Sequence, residues 1–519
     1  MSGGHRPCVQ RAWAAALAAL AVAGLAAGPV CAAAAVSGGP RVTVGSKAFP
    51  ESWILGDALA TLMRESGDAR VEHRSNLGGT EIMVQALRSG EIDVYPEYTG
   101  TISEVILHSP GGRPTLEGLR AALAAEGLGI SDPLGFNDSY ALGVTDGVAR
   151  RDGLRTLSDL ARHPQLKVGL SHEFLGRKDG WPGLAGAYGL RMREVHGIQH
   201  ELAYGALASG AIDVTDLYTT DAEIERLHLR VLEDDRGFFP RYDAVFVYRL
   251  DLARRAPAAY AAIGRLAGKI DAARMIRANA RVVLGKQPFT RSADSLLIEA
   301  LGTAGTGASG GRVVDVILKN TVQHLKLVAL SLVAAILIGV PLGVVAARVP
   351  RLAGATLTLV GLLQTIPSLA LLALLIPLLG IGVVPALVAL FLYSLLPIVR
   401  NTFVGLVTIP PPLSEAAAAL GLSPSALLLR VQLPMASPTI MAGIKTSAVI
   451  NVGTATLAAL IGAGGLGDPI LSGIQLRQHS LILQGAVPAA LLALLVQWGF
   501  DALDRVVIPR GLRLPAPRD

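Results

Sequence analysis

A run of small residues behind one acidic side chain, at residues 415–421, has the composition of a docking element. Glu415 offers a fixed negative charge, and the alanines that follow let one helix face fit closely into a partner's groove. Gly421 can turn the chain without a Cβ penalty, and Ser423 followed by Pro424 is typical of a capped helix start. We therefore predict two short helices joined by a glycine turn, whose chemistry is partner binding. The positions that define the pattern are Glu415, Ala416, Ala417, Gly421, Leu433 and Pro434.

Catalytic and cofactor chemistry is not expected. The sequence has no Gly-x4-Gly-Lys-Ser/Thr stretch, so a P-loop nucleotide site is not expected in this chain. The ten histidines are scattered without the paired helical spacing of a metal site, and no nucleophilic constellation is present. The net charge of +6 comes largely from loop arginines, so nucleic-acid binding is not implied. An enzyme, a metal and a cofactor are all unexpected.

Hydrophobic segments dominate the second half of the chain. Five are long enough to span a bilayer, at residues 325–347, 352–379, 383–399, 441–461 and 481–503. Residues 312–324 are mixed in character and are expected to form a helix along the membrane surface. Pro367 should kink the second span, where Gln364, Thr365 and Ser368 can satisfy freed backbone groups or line a pathway. The glycine cluster at 461–467 permits close helix approach or a re-entrant turn.

Loop charges predict how the spans are oriented. By the positive-inside rule, the arginines that follow the spans should be cytoplasmic. An odd number of spans then places the N-terminal half outside the cytoplasm and the C-terminus inside, in a multi-pass protein of the plasma or inner membrane. The arginines concerned are Arg348, Arg351, Arg400, Arg430, Arg505, Arg510, Arg513 and Arg518.

The first half reads as a separate soluble domain at residues 41–302. Nine of the ten tyrosines lie between Tyr95 and Tyr260. Short aliphatic strands alternate with amphipathic helical stretches, which indicates an α/β fold. Turn-prone residues at 136–138 and 238–240 suit a chain that crosses to a second lobe and returns. We expect two lobes with a ligand cleft between them.

Two flanking segments complete the organisation. Residues 1–35 carry basic residues before an alanine- and leucine-rich run, as in a secretory signal peptide or an uncleaved anchor, and they contain both cysteines. Either alternative places the next domain outside the cytoplasm. Residues 303–311 have the composition of a flexible linker with a reach of roughly 15 to 18 Å. The domain at 312–519 would follow it, so the binding domain is expected to be tethered.

The 413–434 segment resembles the cytoplasmic coupling loop of ABC importer permeases, through its Glu-Ala-Ala, Gly and Leu-Pro spacing. The runs Leu-Gln-Thr-Ile-Pro-Ser-Leu-Ala at 363–370 and Ile-Gly-Ala-Gly-Gly-Leu-Gly at 461–467 look like permease signatures of the quaternary-amine osmoprotectant family. The resemblance implies an all-α permease domain of about five spans, a separate ATPase subunit, and pairing of two permease chains. Positions that could line the pore are Gln364, Thr365, Pro367 and Ser368.

The first half resembles the binding proteins for glycine betaine, choline and related osmoprotectants. The motifs are Gly-Ser-Lys-Ala-Phe-Pro-Glu at 45–51, Asn-Leu-Gly-Gly-Thr at 76–80, Asp-Val-Tyr-Pro-Glu-Tyr-Thr-Gly-Thr at 93–101 and Asp-Leu-Tyr-Thr-Thr-Asp at 216–221. Pro-Glu-Ser at 50–52 departs from the family's usual Thr-Glu-Gln, which puts the ligand's identity in doubt. The implied fold is a two-lobed α/β domain of the periplasmic-binding-protein type (type II-like).

Aromatic rings are the means by which a protein can hold a quaternary ammonium, which donates no ordinary hydrogen bond. The resemblance implies a cage of Tyr98, Tyr140, Tyr218 and Tyr242, with Asp138 near the cation. For a ligand carboxylate it implies Lys47, Arg177 and Thr101 as donors. Choline would leave the two basic groups poorly compensated, which favours betaines and carnitine-like zwitterions.

The function expected from these patterns is capture and import of a quaternary-amine osmoprotectant by the binding and membrane subunit of an ABC importer. One alternative is another trimethylated zwitterion such as ergothioneine. A second, from a different class, is a receptor or ligand-gated channel that does not pump. A third is a binding and scaffolding protein with a degenerate pore.

Overall fold

The computed structural model describes residues 39–108, 115–302, 313–476 and 478–512. It divides into two compact units, one formed mainly by Val36–Gly311 and the other by Arg312–Leu471 and Ser480–Asp519. The signal peptide or anchor predicted at 1–35 and the linker predicted at 303–311 lie outside the described residues.

The N-terminal unit is built on two five-stranded sheets. Its strands are β1 (Arg41–Gly45), β2 (Arg70–Arg74), β3 (Val94–Tyr98), β4 (Leu128–Ile130), β5 (Tyr140–Thr145), β6 (Lys167–Ser171), β7 (Glu194–Ile198), β8 (Val214–Tyr218), β9 (Leu229–Val231) and β10 (Ala244–Arg249). The first sheet has the order β2-β1-β3-β10-β4 and the second β7-β6-β8-β5-β9. The predicted α/β fold of two lobes is confirmed.

The chain passes from one sheet to the other after β4 and returns after β9. An isolated bridge between Asn137 and Asp243 joins the two connecting segments. They lie where turn-prone residues predicted the crossings. We call residues 39–135 and 241–302 the first lobe and residues 136–240 the second lobe.

Helices cover both sheets. They are Pro50–Glu65, Thr80–Ser89, Thr99–Thr101 with the π-turn Ile102–Ile106, Leu116–Ala124, Asp146–Asp152, Leu157–Leu160, His172–Gly176, Trp181–Tyr188, His200–Ser209, Glu223–Arg226, Leu252–Arg255, Pro257–Gly264, Ala272–Val283 and Phe289–Leu301. Helix Pro50–Glu65 is buried on nearly every face, as its sequence of mostly apolar and small residues requires. The Trp53 indole donates to the Lys47 carbonyl at 2.7 Å and fixes the start of this helix beside β1.

The C-terminal unit is helical. Its α-helices are Val313–Arg348, Pro350–Thr365, Ser368–Leu379, Val383–Val407, Pro411–Ala419, Pro424–Leu427, Leu433–Thr454, Gly467–Gln475 and His479–Val507. The segment Leu428–Gln432 is a π-helix, and Ala455–Ile461 and Arg510–Leu512 are 3-10 helices. Four stretches of the described chain are long and apolar enough to cross a membrane, namely Val314–Arg348, Val383–Val407, Pro424–Ile461 and His479–Val507. A fifth span results if Pro350–Thr365 and Ser368–Leu379 count as one.

Two expectations for this unit need correction. Residues 313–324 do not form a separate surface helix, because they continue without a break into the long helix Val313–Arg348. The second span is not merely kinked at Pro367. Its two helices meet at 97°, since Ile366 is extended and Pro367 starts a new helix instead of continuing the old one.

Helix Val383–Val407 lies at the centre of this unit and packs against helices Val313–Arg348 and Leu433–Thr454. Glycines allow the closest approaches. A Cβ at Gly343 would lie 2.8 Å from the Val399 carbonyl oxygen, and one at Gly443 would lie 2.6 Å from that of Pro397. Small residues that bring backbones into contact are the usual device of membrane helix packing.

Candidate functional site

Three of the four predicted cage tyrosines meet in the N-terminal unit. Tyr140 begins β5 and is paired in register with Tyr218 at the end of β8. Directly opposed side chains of antiparallel strands are neighbours, and their ring centroids lie 5.1 Å apart. The Tyr242 ring stands edge-on to Tyr140 at 5.6 Å. Sheet register therefore brings together residues that are far apart in sequence.

The fourth tyrosine joins this group through a ring that the sequence analysis quoted in a motif but did not assign to the cage. Phe49 stacks against Tyr98 at 6.4 Å and against Tyr218 at 6.1 Å. It is the N-cap residue of helix Pro50–Glu65, so that helix positions it between the lobes. Its place in the Gly45 motif was the signal that could have identified it. We call Phe49, Tyr98, Tyr140, Tyr218 and Tyr242 the ring cluster.

Buried carboxyl groups lie beside the ring cluster. The Tyr98 hydroxyl donates to Glu51 Oε1 at 2.6 Å, and Asn279 Nδ2 lies 2.8 Å from Glu51 Oε2. Thr220 Oγ1 lies 2.6 Å from Glu51 Oε2 and 2.8 Å from Asp138 Oδ1. Burial raises the pKa of Glu51, while burial and the neighbouring Glu51 raise the pKa of Asp138 well above its usual value. Asp138 was predicted for this site, whereas Glu51 was not.

The two basic residues predicted to meet a ligand carboxylate already have acidic partners. Lys47 is ion-paired with the fully buried Glu97. Arg177 Nε donates to Asp179 Oδ1 at 2.8 Å, and its guanidinium lies 5.3 Å from the Tyr140 ring centroid. The expectation that choline would leave Lys47 and Arg177 uncompensated is therefore wrong, because Glu97 and Asp179 already balance their charges.

Thr101, the third predicted donor, is buried in the short helix Thr99–Thr101 that follows β3. That helix begins directly after Tyr98, so chain connectivity places it close to the first-lobe end of the ring cluster.

A second group of polar side chains contacts the backbone and the ring of Tyr218. Asp221 accepts hydrogen bonds from the Tyr204 hydroxyl and from the Tyr218 backbone N–H, the latter at 2.8 Å. His200 Nε2 lies 3.1 Å from the same carboxylate, and its ring packs 4.7 Å from that of Tyr218. Burial alone would lower the pKa of His200, but Asp221 and Asp216 raise it well above its usual value. The His200 imidazole thus lies between the carboxylates of Asp216 and Asp221.

Contacts across the cleft link the two lobes. Besides the Glu51–Thr220 contact, the Tyr242 hydroxyl donates to Asp179 Oδ2 at 2.5 Å. Beside this contact a cavity of about 530 Å³ is lined from the first lobe by Thr80 and Glu104, among others, and from the second by Arg177 and Asp179. A second opening, of about 300 Å³, holds part of the ring cluster and the buried carboxyl groups. Its lining includes Phe49, Glu51, Asp138, Tyr218 and Thr220.

The predicted docking element has the expected backbone. Helix Pro411–Ala419 ends in a turn at Gly421, whose φ of 80° favours glycine, and Ser423 caps the next helix by accepting from the Ala426 N–H at 3.3 Å. Glu415 and Ala416 are exposed, whereas Ala417 is buried. Leu433 and Pro434 open the next long helix.

Exposed leucines and an arginine add to this element. Leu413, Leu420 and Leu429 are exposed around Glu415, with 81% of Leu420 accessible. Arg348, at the end of the first long helix, donates to the Pro424 carbonyl at 2.9 Å and so ties that helix to the loop. From sequence, Arg348 was predicted only to mark the cytoplasmic end of a span.

Two side-chain hydroxyl groups bond to backbone carbonyls at the break near Pro367. The Thr365 hydroxyl donates to the Leu362 carbonyl at 2.7 Å, and the Tyr393 hydroxyl donates to the Ile366 carbonyl. Gln364 and Ser368 are half-buried beside the break, and Pro367 is exposed. Tyr393 was not predicted to take part.

The glycine turn after Ile461 is held by the first long helix. Gln323 Nε2 donates to the Ala463 carbonyl at 2.8 Å, and the buried His324 ring bonds to the Val452 carbonyl at 2.9 Å. Gly462, Gly464 and Gly465 all have positive φ. A re-entrant type of turn, one of the two alternatives, is consistent with this geometry.

Metal ligands are not grouped in the part of the chain that the structure describes, since no three His, Cys, Asp or Glu side chains there are placed to hold an ion.

Comparisons with known proteins match each half of the chain separately. Residues 40–299 match the family model of the substrate binding domain of ABC-type glycine betaine transport systems. Residues 339–510 match that of the binding-protein-dependent transport system inner membrane component.

Individual relatives are similar to parts of the chain. The choline transport system permease protein OpuBB of Bacillus subtilis (strain 168) is 44% identical over 197 residues, which is 38% of this chain and 91% of that protein. The ergothioneine transport permease/ergothioneine binding protein EgtU of Helicobacter pylori (strain G27) is 34% identical over 50% of this chain and 48% of its own length. A crystal structure titled as a glycine betaine/carnitine/choline ABC transporter is 29% identical, covers 50% of this chain and 97% of its own, and has a TM-score of 0.44.

Proposed function

We propose a substrate and a coupling mode from the premise that this chain belongs to the binding-protein-dependent ABC transport family, with a glycine betaine type substrate-binding domain and an inner-membrane component in one polypeptide. It is a transport subunit and a multi-pass membrane protein, not a catalytic enzyme.

The substrate class that we propose is a quaternary amine of the glycine betaine, choline or carnitine type. The observation that carries this proposal is the ring cluster around Tyr140 next to the buried carboxyl groups of Glu51 and Asp138. Aromatic faces attract a methylated cation by about 0.5 to 2 kcal/mol per desolvated ring. Carboxyl groups beside them add long-range attraction for the same charge.

Choline and the betaines both remain within the proposal. Lys47 and Arg177 have carboxylate partners, so a ligand without a carboxylate leaves neither of them unpaired. We propose that the carboxylate of a zwitterion would accept hydrogen bonds from the remaining N–H groups of Lys47 and Arg177 and from the Thr101 hydroxyl.

We propose that a separate cytoplasmic ATPase subunit hydrolyses the ATP that drives transport. The exposed Glu415 and the surrounding leucines are suited to a groove on such a subunit, and small alanines allow close approach. Loop arginines such as Arg348 and Arg430 favour a cytoplasmic position for this loop and an extracytoplasmic position for the binding domain. Two copies of the chain would complete one translocation pathway.

Ergothioneine is a second candidate substrate. The observation that favours it is the identity of 34% with EgtU, which is both an ergothioneine transport permease and an ergothioneine binding protein. A ring cluster recognises the trimethylammonium group and is compatible with either ligand.

Calorimetric titration of the detergent-purified full chain tests the substrate class. Glycine betaine, choline, carnitine and ergothioneine would be compared on the wild type and on a Tyr218→Ala/Tyr242→Ala variant. We expect micromolar or tighter binding of at least one ligand by the wild type, weakened by the variant about tenfold or more. Equal binding by both proteins, or binding of none of the four ligands, would contradict the proposal.

A further inference from the structure

Thr220 makes two short contacts that one hydroxyl cannot supply alone. Its Oγ1 lies 2.6 Å from Glu51 Oε2 and 2.8 Å from Asp138 Oδ1, and both distances are those of hydrogen bonds. A threonine hydroxyl has one hydrogen to donate, and an ionised carboxylate has none. One of the two contacts must therefore carry a hydrogen that belongs to Glu51 or Asp138.

The remaining neighbours supply no alternative hydrogen for these two contacts. The Thr220 N–H points to Asp138 Oδ1 at 3.2 Å, Asn279 donates to Glu51 Oε2, and Tyr98 donates to Glu51 Oε1. Each of these donors accounts for its own bond. The second hydrogen at the Thr220 hydroxyl therefore comes from a carboxylic acid.

Two cations of this cleft, Lys47 and His200, are paired with other carboxylates. The ion pairs within the described residues put Lys47 on Glu97 and His200 on Asp221, and none of them includes Glu51 or Asp138. The acidic Asp221 faces both groups and disfavours a double negative charge. The opening that Glu51 and Asp138 line is also lined by four further charged side chains, those of Glu201, Glu223, Arg226 and Lys286. Burial and repulsion by neighbouring carboxylates, Asp221 for Glu51 and both Glu51 and Asp221 for Asp138, raise the pKa of both carboxyl groups, in agreement with the hydrogen count.

We propose that Glu51 and Asp138 share one proton in the ligand-free cleft and release it to solvent when a quaternary ammonium enters, so that binding exchanges one cation for another. The ligand in this inference rests on the proposed function, whereas the shared proton rests on the hydrogen-bond geometry alone.

The sign of the pH effect follows from the exchange. A bound cation beside the pair favours its fully ionised form, so the pKa of the pair is lower with ligand than without it. Between these two pKa values each binding event releases about one proton, and affinity rises by up to about tenfold per pH unit. Above the pKa of the ligand-free pair the affinity becomes independent of pH.

The exchange can be counted directly. Choline and glycine betaine would be titrated into the detergent-purified full chain from pH 5 to 8, in buffers of different ionisation enthalpy, which gives the number of protons released. We expect a release approaching one proton at the lower pH values and a Kd that falls as the pH rises. A Kd that does not change with pH, with no proton release, would overturn the proposal.

Variants assign the proton to the pair. Glu51→Gln and Asp138→Asn each replace one acid by a neutral group of similar shape, so both should bring proton release close to zero and flatten the pH profile. Asp146→Asn removes a partly exposed second-lobe carboxylate, which is paired with Arg150, and should behave as the wild type. Wild-type proton release in both pair variants would contradict the assignment.

Infrared spectroscopy separates this inference from the substrate proposal. The ligand-free wild type should show a carboxylic-acid C=O stretch at neutral pH that Glu51→Gln or Asp138→Asn removes and Asp146→Asn retains. If no quaternary amine binds but this band is present, the substrate is wrong and the shared proton stands. If the band is absent, the shared proton is wrong whatever the ligand.

Discussion

Tyr242 contributes both a ring and a hydroxyl to the cleft, and substitution can separate them. Tyr242→Phe keeps the ring near Tyr140 and removes the inter-lobe hydrogen bond to Asp179. We expect Tyr242→Phe to weaken ligand binding by about 0.5 to 1.5 kcal/mol, and Tyr242→Ala by clearly more, because the second change also removes an aromatic face. Calorimetric titration measures both.

A matched control for that comparison is Tyr260→Phe, which removes a hydroxyl contact to Tyr248 outside the ring cluster. It should leave the Kd unchanged. Equal effects of Tyr242→Phe and Tyr242→Ala would show that the ring itself does not contact the ligand.

Phe49 provides a second test at the residue scale. Phe49→Leu keeps apolar volume between Tyr98 and Tyr218 but loses the aromatic face, so we expect binding to weaken by about 0.5 to 1.5 kcal/mol. Phe289→Leu, whose ring packs on Trp53 and His73, is the control and should bind as the wild type. An unchanged Kd for Phe49→Leu would remove Phe49 from the site.

At the scale of elements, the loop between helices Pro411–Ala419 and Leu433–Thr454 can be separated from the cleft. Glu415→Ala should lower ATP-dependent uptake and capture of the ATPase subunit by about tenfold or more, since it removes an exposed charge at the proposed interface. Ligand affinity should not change, because the cleft is untouched. Uptake and co-purification with the ATPase are the measurements.

The control for the loop is Asp315→Ala, which removes an exposed acid at the start of the first long helix. It should retain capture and uptake. Wild-type capture by Glu415→Ala would contradict the coupling role, and it would leave the receptor that does not pump as the better account.

Local patterns were sufficient to predict elements and their broad arrangement. Alternating strands and helices predicted two lobes, and Ser423–Pro424 with Gly421 predicted the turn between two short helices, because caps and glycine turns act over a few residues. The outcome at Pro367 was different. A proline can either kink a helix or end it, and the outcome depends on how the neighbouring helices pack. A single sequence does not specify that packing, and here the helix ends, with a bend of 97°.

Side-chain partners in the cleft could not be predicted in the same way. Lys47 follows β1 whereas Glu97 lies in β3, and Glu51 meets Thr220 only across the lobes. Such pairs depend on sheet register and lobe closure, which are properties of the tertiary fold. The expectation of uncompensated basic groups failed for this reason.

At the scale of the whole molecule, fusion of the binding domain to the permease makes a prediction about assembly. If two chains form one pathway, the purified complex should contain two copies of this chain, and therefore two binding domains, with two ATPase subunits. Light scattering of the complex in detergent measures this stoichiometry. A complex with one copy of this chain would contradict the homodimer.

Tethering should also remove any need for a free binding protein. A covalent link replaces diffusion by an effective concentration of about millimolar, so uptake should not increase when the isolated domain is added in excess. Stimulation of uptake by added domain would show that the attached domain does not load the pore.

The measurement that tests the central claim most directly is uptake of labelled glycine betaine and choline into proteoliposomes that contain this chain and its ATPase. The account predicts accumulation that requires ATP, saturates near the Kd of the cleft and is lost in the Tyr218→Ala/Tyr242→Ala variant. Uptake that is unaffected by the loss of both rings, or tight binding without any ATP-dependent accumulation, would contradict it.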